Sequence, residues 1–175
     1  MAIINLDEIA DGARPYLKKD TYSARIMSAE FTTSKAGAPM IMMQWELVAP
    51  ESVEDTKGNA VRIAGLQFRD YLSFSEKAIE ITLRRIKGLH KALKLSPEFE
   101  TNAKEDAPPS AWNPDVAQYA GLAADVTIET DQQAQTTEDG SPVLNGDGDP
   151  VMNNNYRLKR VLRLNEEHTL EPGGY

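Results

Sequence analysis

Catalysis and metal binding need particular side chains at particular spacings, and this sequence offers few of them. His90 and His168 are the only histidines, and cysteine is absent. That removes thiolate nucleophiles, thiolate metal sites and disulfide scaffolds. None of the patterns GxSxG, GxxxxGK[ST], HExxH or a strand-borne GxGxxG occurs. Asp and Glu number 27, yet no close carboxylate pair stands beside a candidate base. His90 falls among lysines in a helical stretch and is expected to face solvent. In Asn145-Gly-Asp147-Gly-Asp149 the oxygen ligands alternate as at the start of a calcium loop. Pro150 and Tyr156 occupy the sixth and twelfth positions, however, so a solvated hairpin turn is expected. These residues predict no enzyme, no catalytic residue, no metal and no cofactor.

Cations set among aromatics on extended segments are the chemistry that remains, and they suit a polyanion. Single-stranded nucleic acid is held by rings that stack on bases and by cations that follow the phosphates. A net charge of −8 looks unfavourable until it is divided along the chain. Residues 1–75 carry 8 basic and 10 acidic side chains, 76–95 carry 6 and 2, 96–155 carry 1 and 12, and 156–175 carry 4 and 3. The acidity therefore lies in one stretch. Elsewhere the chain is near neutral, which permits a polyanion partner but not a uniformly basic duplex-binding surface.

The elements that must position these residues follow from length and period. With 175 residues, 41% apolar and 26% charged, the chain suits one globular domain and no disordered tail. No apolar stretch approaches the roughly 20 residues that span a bilayer. Met1 to Glu8 lack the basic and apolar regions of a signal peptide, so a soluble intracellular protein is expected. Residues 1–19 read as an N-terminal arm. From Thr21 the pattern is extended, with Tyr22, Ala24 and Ile26 on one side and Arg25, Met27, Ala29 and Phe31 on the other. A turn around Gly37 leads to a second strand over Met40–Val48, where Ile41, Met43, Trp45 and Leu47 alternate with polar residues. Residues 49–60 read as a loop, and a third strand over Val61–Phe74 is interrupted at Gly65.

The period then changes. Ser75 is a candidate N-cap, and Ile79, Leu83, Ile86, Leu89 and Leu93 recur at helical spacing until Pro97. Lys77, Arg84, Arg85, Lys87, Lys91 and Lys94 make a basic opposite face, a second candidate contact. Residues 96–118 form a long connection, and Tyr119–Thr130 a fourth strand. Residues 131–154 form an acidic loop, expected to be a disordered solubilising insert, with competition with nucleic acid for the basic face and recruitment of a basic partner as the other readings. Asn155–Leu164 form a fifth strand, where Tyr156, Leu158 and Leu162 alternate with Arg157, Lys159 and Arg163. Residues 165–175 are a C-terminal tail.

The order β-β-β-α-β-β is the parts list of an OB-like five-stranded antiparallel barrel with long loops, mainly β with one main α-helix. Residues 20–164 are thus expected to form a single domain. On such a barrel, ligands lie on the second and third strands and on the loops joining strands one to two and four to five. The candidate nucleic-acid-binding residues are Arg25, Lys35, Arg62, Arg69, Tyr71, Trp112, Arg157, Lys159 and Arg163. Tyr71 and Trp112 are the stacking candidates, whereas Trp45 and Phe68 alternate with the core set.

Thr21-Tyr-Ser-Ala-Arg-Ile-Met-Ser-Ala-Glu30, the turn Ser34-Lys-Ala-Gly-Ala-Pro-Met40, Asp70-Tyr-Leu-Ser-Phe-Ser-Glu-Lys77 and Leu89-His-Lys-Ala-Leu-Lys-Leu95 together resemble a group of phage early-region proteins. The likeness extends loosely to Tyr119-Ala-Gly-Leu-Ala-Ala-Asp-Val126. It implies an OB-like protein that binds single-stranded DNA during phage replication and recombination. It also implies phage or host replication and recombination proteins as partners, and the cytoplasm of an infected bacterium as location. The long acidic loop and the absence of a strongly acidic tail depart from the family pattern. A homo-oligomer fits either reading of this chain. The alternative, from another class, is a phage structural or protein-interaction module with no nucleic acid, its acidic loop and basic helix in contact between copies.

Overall fold

In the computed structural model, residues 14–54, 58–144 and 146–164 are described. The first two extended runs form a hairpin, β1 (Asp20–Thr33) and β2 (Pro39–Ala49). Along β2, Ile41, Met43, Trp45 and Leu47 are buried and their neighbours half-exposed, the two-residue period of a strand with one face in the core. The connecting turn is closed by hydrogen bonds from Gly37 N–H to the Ser34 carbonyl and from Ala38 N–H to Ser34 Oγ. Gly37 takes φ +87°, a conformation that a side chain would strain.

The third predicted strand is two. Its first piece, β4 (Ala60–Arg62), pairs with β3 (Ser52–Glu54) in a small separate sheet, so residues 49–60 are not all loop. The chain swings at Gly65, φ +95°, whose N–H donates to the Leu47 carbonyl, and β5 (Gln67–Ser73) then pairs with β2. After the helix α1 (Ile79–Ala92) come β6 (Ala123–Ala134) and β7 (Met152–Leu162). The main sheet is antiparallel throughout, in the order β5-β2-β1-β6-β7.

The fold is thus mainly β with one helix, as expected, but its five-stranded antiparallel sheet is not closed into the predicted OB-like barrel. Strands β5 and β7 are both sheet edges, and no strand pairing joins them, although their Cα traces come within 8 Å. Helix α1 packs against both edges at this gap. Among the described residues no helix is long and apolar enough to cross a membrane.

Two bulges change which side chains face the core. In β1, Ile26 faces Trp45 and Ser28 faces Gln44, leaving Met27 as the extra residue. Tyr22, Ala24 and Ile26 are buried before it, and Ala29 and Phe31, assigned by alternation to the opposite side, pack on the same core after it. In β7, Leu158 faces Ile128 and Arg160 faces Thr127, so Lys159 is the extra residue.

Of the residues predicted to face inward from α1, Ile79, Ile86, Leu89 and Leu93 lie in or against the core and Leu83 does not. Thr82, Ile86, Leu89, His90 and Ala92 are buried, whereas Leu83 is 38% exposed. No side chain caps it, and the Ser75 carbonyl accepts from the Ala78 and Ile79 N–H groups instead. His90 is 3% exposed because both ring nitrogens have partners: Nδ1 lies 2.6 Å from the Ser96 carbonyl and Nε2 2.6 Å from Tyr119 Oη. A carbonyl only accepts, so Nδ1 donates to it, while Nε2 and the tyrosine hydroxyl share the other hydrogen bond.

The described residues of the acidic stretch and the last residues of the arm belong to this body. The β6–β7 pairing runs out to Ala134 and Met152, so residues 131–134 and 152–154 are strand rather than disordered loop. Leu17 is buried, its N–H donating to Thr130 Oγ1 at 3.0 Å while that hydroxyl donates to the Leu17 carbonyl at 2.6 Å. Tyr156 Oη donates to the Pro15 carbonyl. The arm's last residues are thereby fastened to β6 and β7. Residues 1–13 and the tail 165–175, with His168, lie outside the described residues, as does Asn145.

Burial pushes the Tyr119 and Tyr156 hydroxyls up to about 12, and it raises Tyr22 as well. The folded chain therefore holds protons that the unfolded chain releases near pH ~10, and the stability this gives is lost as pH rises through roughly 10 to 12. Urea denaturation across that range should show a steady decline, part of which Tyr156→Phe removes. A variant that declines as steeply as the native chain would contradict this.

Candidate nucleic-acid interface

The nine predicted residues do not form one cluster. Lys35 is exposed in the β1–β2 turn. Arg62 belongs to the small β3–β4 sheet and faces Glu51 at 3.8 Å. On the outer face of the main sheet, Arg25 lies 3.9 Å from Glu46, and Arg157 donates to Asp131 at 2.8 Å. Arg69 Nε donates to Gln44 Oε1 at 3.0 Å, and two residues along β5, on the same face, Tyr71 is 48% exposed. Trp112 is engaged otherwise than expected. Its ring packs edge-on against Phe74 at 5.8 Å and Phe99 at 6.4 Å, and its Nε1–H donates to the Ala107 carbonyl. A half-buried ring committed to packing is no platform for a base, and Trp112 leaves the candidate set.

Lys159 and Arg163 enter a different arrangement. The gap between the edges of β5 and β7 is a cleft of about 610 Å³, with α1 as one wall. Six cations line it: Arg84, Arg85 and Lys91 from the helix, and Lys159, Arg160 and Arg163 from the end of β7. Among the described residues Asp70 is its only acid, and no histidine, serine or threonine lines it. Apolar side chains including Met43, Leu72, Ile81 and Leu158 make up the rest. Residues 84, 88 and 91 recur at helical spacing, so one stripe of α1 faces the gap. Gly88 sits in that stripe, and a Cβ built there meets nothing within 4 Å.

The cations differ in what already holds them. Arg85 Nη2 lies 2.5 Å from Asp70 Oδ2, and Nη1 donates to the Tyr71 carbonyl at 3.2 Å. That carbonyl is on the free edge of β5, so Arg85 also blunts the edge against strand addition. Burial raises the Asp70 carboxyl, and the adjacent Arg85 pulls it back only in part. Acidification therefore neutralises Asp70 and releases charge into the cleft. Lys159 is 3.3 Å from Glu129 and Arg84 is 4.0 Å from Glu80, solvent-exposed pairs worth little. Among the described residues no acid pairs with Lys91, Arg160 or Arg163. Such a cleft attracts an anion at its cations and offers apolar surface beside them. Among the described residues no group of His, Asp and Glu is placed to hold a metal ion.

Arg84, Arg85 and Lys91 were legible as a basic helix face, but nothing in the sequence set that face against β7. Strict alternation along β7 sets Arg160 on the side opposite Lys159 and Arg163, and the bulge at Lys159 brings all three to the cleft. The signal was there: Leu158 and Val161 stand three apart, which breaks the two-residue period and marks the bulge. Compared with protein-family models and with curated proteins, the chain matches none.

Proposed function

We propose that this chain binds single-stranded nucleic acid, DNA foremost, without reading its sequence. The observation that carries the proposal is the cleft, with six cations, one engaged acid and an apolar floor between two strand edges. Cations track phosphates in any nucleic acid, but apolar surface beside them is useful only where bases are unstacked. We read the order β5-β2-β1-β6-β7 as an OB-like barrel opened between β5 and β7, with the cleft at the opening. Arg69 and Tyr71 alternate along β5 with the cleft-lining Asp70 and Leu72 and stand on its other face, so a strand leaving the cleft over this edge meets a cation and a ring. The likeness of residues 20–95 to phage early-region proteins supports the same function, in replication or recombination within an infected cell.

Gly88→Glu tests the site with little risk to the fold, because the new side chain enters open space and helix propensity improves. Loss of one phosphate contact at about 50 mM NaCl should weaken binding of an oligo(dT) 30-mer about eightfold. Gly88→Ala should bind as the native chain does. Equal affinity for all three would remove the cleft as the binding site.

A further inference from the structure

The far end of the β6–β7 hairpin is acidic where the cleft is basic. Residues 131–151 carry Asp131, Glu138, Asp139, Asp147 and Asp149 and no lysine or arginine. Beyond Ala134 this end is folded on itself. Gln135 N–H donates to the Val151 carbonyl, Val143 N–H to that of Gln135, and Val151 N–H to that of Val143. Two turns result, with positive φ at Gly140 and Gly148. Glu138 and Asp139 belong to the first, Asp147 and Asp149 to the second. Hydrogen bonds from Thr137 and Ser141 hold the Asp139 carboxyl below its ordinary range, so it stays ionised well into acid. Leu144 lies between the turns and is 56% exposed, an apolar side chain in polar surroundings.

This end does not reach its own cleft. Arg160 lies eight residues along β7 from Met152, about 26 Å of extended strand. The ladder that carries the turns is paired out to Ala134 and Met152, and none of the described residues of 131–151 lines the cleft. An occupant with this chemistry must come from another molecule.

We propose that the acidic two-turn end of one copy seats on the cationic cleft of a second copy. Carboxylates of the turns meet Lys91, Arg160 and Arg163, and Leu144 meets the apolar floor. Arm and cleft are different patches at separated places on one molecule, so the contact is heterologous and propagates from copy to copy. Nucleic acid offers the cleft the same negative charge and displaces the arm. Only this displacement rests on the nucleic-acid function; the contact between copies does not.

Sedimentation velocity of the full chain tests the contact. The sedimentation coefficient should rise with protein concentration at about 50 mM NaCl and fall to the monomer value at about 500 mM. An arm variant, Glu138→Gln with Leu144→Ser, Asp147→Asn and Asp149→Asn, should remain monomeric at both. A cleft variant, Lys91→Glu with Arg160→Glu, should also remain monomeric. Mixed together, the two variants should form a one-to-one dimer and nothing larger, because one keeps a cleft and the other an arm. A native chain monomeric at low salt, an arm variant that associates normally, or a mixture that stays monomeric would each overturn the contact. An association that oligo(dT) of eight nucleotides does not displace supports the contact and counts against the nucleic-acid function.

Discussion

Lys91→Glu combined with Arg160→Glu is expected to weaken oligo(dT) binding at about 50 mM NaCl by about 60-fold or more. The magnitude follows from counterion release. Each phosphate neutralised on a single strand contributes about 0.7 to the salt slope, which at about 50 mM is nearly tenfold in affinity. Two lost contacts multiply, and the slope itself should become shallower by about 1.4. Both side chains are exposed and neither has an acidic partner among the described residues, so melting should move by no more than about 2 °C. Anisotropy titration with a melting scan checks both halves. Unaltered affinity would place the strand elsewhere, and a large loss of stability would make the binding result uninterpretable as a site effect.

Trp45→Ala should cost about 4 kcal/mol of folding stability, whereas Trp45→Phe should cost less than about 1.5 kcal/mol. Trp45 is fully buried and stacked on Phe68, with ring centroids 6.3 Å apart and planes at 5°. Alanine leaves a large cavity beneath the cleft. Phenylalanine keeps most of the ring and also removes a liability. The indole N–H is buried with no hydrogen-bond partner among the described residues, and such an orphan costs about 1–3 kcal/mol. For a chain of 175 residues the alanine variant should melt about 12 °C lower. Urea denaturation gives both numbers, and similar losses in the two variants would contradict the packing account.

What was legible in the sequence was whatever local chemistry dictates. Alternation gave the inner face of β2, the Ser34–Ala38 turn gave the first hairpin, and Gly65 marked a real change of direction. Helical spacing found α1 and most of its inward face but set His90 outside. The cause lies 29 residues away: Tyr119 satisfies Nε2 of His90 and makes burial of a polar ring acceptable. The bulges at Met27 and Lys159 each inserted one residue, and strict alternation assigned the wrong face beyond them. Trp112 looked available because its partners Phe74 and Phe99 are distant from it in sequence. The cleft itself is tertiary, made by two strand edges and a helix that local pattern cannot set face to face. Arg69 and Tyr71 were placed correctly on one face of β5, yet the densest group of cations lies in the gap beside that strand.

The most direct measurement is anisotropy of a labelled oligo(dT) 30-mer titrated with the full chain at several salt concentrations, with duplex of the same length alongside. Four phosphates held in the cleft predict a slope of about −2.8 and an affinity about 50-fold lower at 200 mM than at 50 mM NaCl. Duplex should bind more weakly throughout. No binding at about 50 mM, where screening is least, or binding that salt does not weaken, would contradict an electrostatic site for single strands.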